Sequence, residues 1–120
     1  MNQSAVQTAH LPKLPQDLSR PIGCIGSGFI MADCHLPAYR QAGFNPVAIA
    51  SRTAANAAAV ANRHNLTAYD SYLSMLRDAD IEVVDVAVPP DIQLTVIRDI
   101  VKYSHKIKGI FGIKYSFKLK

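Results

Sequence analysis

The segment Pro21-Ile22-Gly23-Cys24-Ile25-Gly26-Ser27-Gly28-Phe29-Ile30-Met31 joins a short apolar run to a pair of glycines and then to an apolar run of a different period. Ile22 to Ile25 suit a strand buried on both faces. From Ile30 to Ala42 the apolar side chains recur at roughly helical spacing, and Gly43 stands where a helix C′ glycine belongs. A strand that passes through glycines into a helix is the opening of a βαβ unit. Gly26 would allow the tight turn, and Gly28 would remove a Cβ that otherwise keeps a phosphate away from the backbone. The free N–H groups and positive dipole of the helix N-terminus favour an anion there. The pattern therefore predicts a dinucleotide pyrophosphate site at Gly26, Ser27 and Gly28. Its third position, where Gly or Ala gives close helix–strand packing, holds Met31 and departs from the pattern.

Outward from this segment the two periods keep alternating. Pro46 to Ala50 reads as a second strand, and Thr53 is placed to cap a helix over Ala54 to Arg63, rich in alanine. A short piece at Thr67-Ala68-Tyr69 precedes a run from Ser71 to Arg77. Val83 to Val88 is nearly continuous β-branched sequence and stops at Pro89-Pro90. Asp91 is placed to cap a helix reaching about Tyr103, and Ile107 to Ile113 reads as a further strand. Strands and helices alternating through short connections imply right-handed crossovers and a parallel sheet. The expected fold is α/β, a doubly wound parallel sheet over residues 21–113, after an irregular leader (1–20) and before a basic tail (114–120).

Composition narrows the function classes. One domain is the most that 120 residues hold. No apolar run approaches the ~20 residues of a membrane span, and residues 1–20 lack the apolar core of a signal peptide, so a cytoplasmic protein is expected. The net charge of +4 is not a patterned face: residues 102–120 carry six lysines and no acid, whereas residues 1–101 sum to −2. Nucleic-acid binding is not expected, because no aromatic platform accompanies that basic tail. The four histidines and two cysteines show no metal-ligand spacing, so no metal site is predicted, and Cys24 and Cys34 read as buried reduced thiols.

The end of the second strand is where an acid would hold the ribose hydroxyls of NAD. Ser51-Arg52 stands there instead. A hydroxyl and an arginine suit a 2′-phosphate, which favours NADP over NAD as cofactor.

Read together, IGCIGSGFIMADCHLPAYRQAGFNPVAIASR, Tyr69-Asp70-Ser71-Tyr72 and IEVVDVAVPP resemble the Gfo/Idh/MocA oxidoreductases, over about Pro21 to Ile110. The resemblance implies a Rossmann domain followed by a second α/β domain that supplies much of the substrate site. It implies hydride transfer between a nicotinamide dinucleotide and a sugar or cyclitol hydroxyl. By the same likeness Gly26, Ser27, Gly28, Phe29 and Ile30 would line the pyrophosphate, Ser51 and Arg52 would meet the adenosine ribose or its phosphate, and Val88 and Pro89 would border the cofactor. His35 matches a histidine of the motif and reads as a packed side chain. Gln93 stands where many relatives carry a histidine.

The likeness stops near Ile110. Relatives carry Glu-Lys-Pro at the end of the next strand, and the equivalent stretch here is Ile113-Lys114-Tyr115. Lys114 is thus the one catalytic candidate, in a tail where a solvated lysine is the simpler reading. The expectation is a truncated, frame-shifted or deliberately short chain that lacks the substrate domain and is inactive alone. A non-enzymatic nucleotide-binding fragment or regulatory module is the alternative. An uncovered sheet edge is expected to invite self-association. Asp85, a carboxylate inside the apolar Val83–Val88 run, calls for a strand-edge or helix-cap partner.

Overall fold

A computed structural model describes residues 18–112 and, for the backbone, 116–118. Six strands form one sheet in the order β3-β2-β1-β4-β5-β6. They are β1 (Pro21–Ile25), β2 (Asn45–Ala50), β3 (Thr67–Tyr69), β4 (Val83–Val86), β5 (Gly109–Gly112) and β6 (Ser116–Lys118). The first five are parallel, as short strands joined by helical crossovers must be. The chain winds outward from β1 to β3 and then returns to build on β1's other side, so the fold is the expected doubly wound Rossmann type. β6 runs antiparallel on β5, pairing Gly109 with Lys118 and Phe111 with Ser116. Part of the stretch read as a basic tail is therefore sheet, and the β5 edge read as uncovered is paired by the chain itself. Composition hid this strand, because lysines mask the weak period-2 signal of three residues.

The helices divide between the faces. A π-helical turn, Ile30–His35, leads into α1 (Leu36–Ala42), which ends at Gly43 in the left-handed conformation (φ 88°). With α2 (Ala54–His64) it covers one face, burying Ile22, Cys24, Met31, Leu36, Ile49 and Val60. On the other face α3 (Tyr72–Asp78) and α4 (Pro90–Val101) enclose an apolar cluster that includes Ile25, Met75, Leu76, Val84, Ile100 and Ile110. Alternation along β4 sends Val84 and Val86 into that cluster and Asp85 to the opposite face.

Three local expectations are corrected. Cys24 is buried but Cys34 is exposed, because it points away from the sheet on the helical turn. Asp91 does not cap α4: the helix begins at Pro90 with Pro89 in the cap position, and Asp91 lies in the first turn, where a carboxylate complements the helix dipole. Thr53 occupies the N-cap of α2 without a side-chain hydrogen bond, whereas Ser71 and Ser74 form a reciprocal capping box on α3. Among the described residues no helix is long and apolar enough to cross a membrane.

Candidate functional site

The order of the sheet reverses at β1, between β2 and β4, and in an open α/β sheet a crevice forms beyond the strand ends at such a point. Two main-chain bonds tie those ends together. The Gly26 N–H donates to the Ala50 carbonyl (2.8 Å), and the Ala87 N–H donates to the Ile25 carbonyl (2.9 Å). They frame a cleft of about 480 Å³, walled by the loop after β1, the loops after β2 and β3, and the Ala87–Pro89 segment after β4.

Gly26 has φ +111°, a region where an L side chain is strained, and a Cβ there would collide with the Ala87 carbonyl oxygen. The close crossing of the two loops therefore requires glycine. Gly28 differs: a Cβ built on it meets no atom within 4 Å. The protein leaves that space open, and it adjoins a helix start, as a phosphate cradle requires. The N–H groups of Ser27 and Gly28 make no main-chain hydrogen bond among the described residues, whereas the Gly28 carbonyl accepts from Ala32 N–H at 2.9 Å.

Of the residues singled out from sequence, Gly26, Ser27, Gly28, Ser51, Arg52, Val88 and Pro89 all line this cleft. Phe29 and Ile30 do not. Their side chains are 68% and 40% exposed. Lys114 falls outside the described residues. Thr53, Asn56, Asp70, Ser71, Tyr72, Ile92 and Val96 also line the cleft and were missed as site residues. The signal for Asp70 to Tyr72 was their place just after a strand, where sheet topology alone shows that they approach the β2 loop.

The polar groups of the cleft have distinct states. Arg52 is exposed and makes no hydrogen bond or ion pair among the described residues, so its guanidinium is available to a ligand anion. The Ser51 hydroxyl donates to the Thr53 carbonyl (2.7 Å), which leaves its lone pairs as acceptors. Tyr72 donates its O–H to Asp99 on α4 (2.5 Å). Burial and that bond raise the phenol to about 12, and the same bond holds Asp99 below the usual carboxylate range. Tyr72 thus ties α3 to α4 at the back of the cleft and stays protonated.

A second polar group lies behind the glycine loop. Asp85 is fully buried. Its Oδ2 lies 2.7 Å from His35 Nδ1 and accepts from the Tyr39 hydroxyl at 2.5 Å, while Oδ1 is buried without a partner. The expectation of a packed histidine missed this pairing, and Asp85's partners come from the first helix, not from a strand edge. His35 and Tyr39 are four residues apart on one helix face, so a single carboxylate can reach both. Hydrogen bonding to Asp85 raises the His35 imidazole above its usual value near 6.5, against the opposing effect of burial. Burial and then Asp85 push the Tyr39 phenol up strongly. The π turn contributes as well. Met31 is fully buried at the third position of the glycine pattern, and its carbonyl accepts from Leu36 N–H across the widened turn. A π turn holds more residues than an α turn, so it rotates the side chains beyond it relative to those before it.

Among the described residues no cluster of His, Cys, Asp or Glu is arranged to hold a metal ion. No curated protein sequence matches the chain. Among solved structures, an oxidoreductase from Thermotoga maritima superposes with a TM-score of 0.71 at 24% identity, over 78% of this chain and 29% of its own. The WlbA dehydrogenase of Bordetella pertussis, solved with NADH and UDP-GlcNAcA, gives 0.67 at 18% identity, over 72% of this chain and 27% of its own. A biliverdin reductase from Synechocystis, solved with biliverdin and NADP+, gives 0.65 at 17%, over 77% and 28%. These likenesses establish the fold, and the chain spans under a third of the length of each. Residues 20–107 match the family described as the oxidoreductase family, NAD-binding Rossmann fold. That match covers most of the chain and contains the whole glycine loop and cleft, so the chain belongs to the Gfo/Idh/MocA oxidoreductase family and carries its NAD-binding Rossmann domain.

Proposed function

We propose that the cleft takes the dinucleotide with its pyrophosphate over Gly26, Ser27 and Gly28 and its adenosine toward Ser51 and Arg52, and that NADP is preferred to NAD. The single observation that carries this is the contrast between the two glycines: one makes the turn, and the other leaves open space beside free N–H groups. The residues present fit the cofactor. The loop amides and the helix N-terminus would hold the pyrophosphate, Arg52 would pair with a 2′-phosphate, and Val88 and Pro89 would border the path toward the nicotinamide. Two features support NADP: no acid stands at the end of β2, and Arg52 is unpaired among the described residues. The Asp70 carboxylate, on the same wall, would oppose a phosphate placed close to it. Phe29 and Ile30 follow the glycines at the start of the helical turn, and in this reading they would line the pyrophosphate as the resemblance implies.

When bound, the cofactor supplies a hydride acceptor or donor. Relatives solved with NADH and with NADP+ support the redox reading. The substrate in this reading is a sugar or cyclitol hydroxyl, which must be oriented at the nicotinamide and shielded from water to be oxidised. These 120 residues alone would bind the cofactor without turnover, whether or not Lys114 helps to position substrate in the complete site. A non-enzymatic nucleotide-binding role is the second reading, favoured by Gln93 and by the absence of Glu-Lys-Pro around Lys114.

Titration with NADPH and NADH, followed by nicotinamide fluorescence and thermal shift, tests this. Saturable binding is expected. Gly28→Val should abolish it with little change in Tm, since the added side chain points into open space. Arg52→Ala should weaken NADPH by about tenfold and leave NADH unchanged, the loss of about one charge-assisted bond. A folded chain that binds neither nucleotide would overturn the reading.

A further inference from the structure

We infer that Asp85, His35 and Tyr39 form a charge clamp between the first helix and β4 that positions the glycine loop, and that loss of the His35 proton slackens it and weakens dinucleotide binding. The inference rests on the cofactor reading above for its second half only.

The geometry supplies the coupling. The helix that carries His35 and Tyr39 begins directly after the loop Gly26–Gly28, and β4 runs directly into Ala87–Pro89. These are two facing walls of one cleft, and they pass so closely at Gly26 that a Cβ there would strike the Ala87 carbonyl. The only side-chain hydrogen bonds recorded between the first helix and β4, among the described residues, are the two made to Asp85 Oδ2. A buried carboxylate is costly unless its charge and lone pairs are met. Here Oδ1 has no protein partner, so the stabilisation of Asp85 falls on the two groups at Oδ2.

Among the groups around this carboxylate or its neighbours, His35 is the one whose ordinary value lies near neutrality. His35 on the helical turn is raised from near 6.5. Tyr39, one turn on, is raised far above the neutral range. Cys24, on adjacent β1, is raised by burial and then by Asp85, with Arg40 acting in the lowering direction. Protonated His35 sets a positive charge against the Asp85 carboxyl group, and neutral His35 leaves it only the neutral donors. Because the folded value lies above the unfolded one, the contribution is complete below about pH 6.5 and is lost as the pH rises through the folded value. If the taut clamp holds the dinucleotide better, linkage requires the dinucleotide to raise the His35 value in return.

The probe is NADH, whose pyrophosphate does not titrate in this range. It is used with the full 120-residue chain in a Cys34→Ser background, so that the exposed neighbouring thiol contributes nothing. Its Kd should rise about tenfold between about pH 6 and about pH 9, equivalent to one unit of His35 shift between free and bound chain. His35→Gln, which keeps a donor but cannot titrate, should bind with a flat pH profile. Asp85→Asn should bind more weakly at pH 6 and also show no dependence. A flat wild-type profile would overturn the clamp. So would an Asp85→Asn variant that keeps the wild-type dependence, since the effect would then be simple attraction of an anion to a nearby cation. Ligand-free thermal unfolding separates the two claims. Wild type should lose Tm between pH 6 and pH 9 and His35→Gln should lose less. Equal losses would overturn the clamp, whereas a normal stability profile with no NADH binding would mark failure of the cofactor reading.

Discussion

The two faces of the sheet solve the same packing problem with different chemistry. The face under α3 and α4 is a cluster of apolar side chains from Ile25 to Ile110, and the buried polar side chain that α4 adds to it, Gln93, carries no charge. The face under the first helix and α2 has Ile22, Leu36 and Ile49, yet beside them it buries Asp85. Hydrophobic burial is non-directional, so the first face fixes proximity without fixing orientation. A buried carboxylate with two specific donors is directional, and it stands behind the one helix whose N-terminus must be aimed at a ligand. The difference suggests where positional accuracy matters in this domain. The apolar face holds the sheet together, and the mixed face sets the angle of the glycine loop.

The comparison is tested first at the point where both faces depend on one backbone crossing. Gly26→Val adds a strained φ and a collision with the Ala87 carbonyl, and should cost about 3 kcal/mol or more in urea unfolding. Next, Leu76→Ala on the apolar face should cost about 2–5 kcal/mol, equally at pH 6 and pH 9, since its buried cluster holds no histidine or carboxylate. Asp85→Asn should cost about 1–3 kcal/mol at pH 6 and less at pH 9, because the His35 contribution has already been lost there. An Asp85→Asn cost that is the same at both pH values would remove the distinction between the faces. The smallest effects sharpen the role of local signals. Ser71→Ala should cost about 1 kcal/mol through its capping box, and Thr53→Ala less than about 0.5 kcal/mol, since Thr53 makes no side-chain cap bond.

The strength of local signals explains what could be read in advance. Val83 to Val88 read as a strand because β-branched residues crowd it, and Ala54 to Arg63 as a helix because alanine dominates it. The turn at Gly26–Gly28 was legible because only glycine tolerates such a crossing. Strand β6 was not, because its pairing with β5 is a long-range choice and its composition is that of a solvated tail. Within the site, the residues after β1, β2 and β4 were found, whereas Asn56 on α2 and Asp70 after β3 were not, because only the sheet order brings them to the same cleft. Phe29 and Ile30 were placed in the site by motif position alone, and their side chains are exposed.

By itself the sequence determined the alternation of strand and helix, the parallel doubly wound class, and a glycine turn after the first strand, because each rests on residue type and spacing within a few positions. Only the tertiary structure decided that Asp85 faces the first helix and not the apolar cluster, and that His35 and Tyr39 share its carboxylate. Residues separated by 50 and 46 positions meet there. Their meeting depends on strand order, on the pleat of β4 and on the rotation introduced by a π turn, none of which is written in any local stretch of the chain.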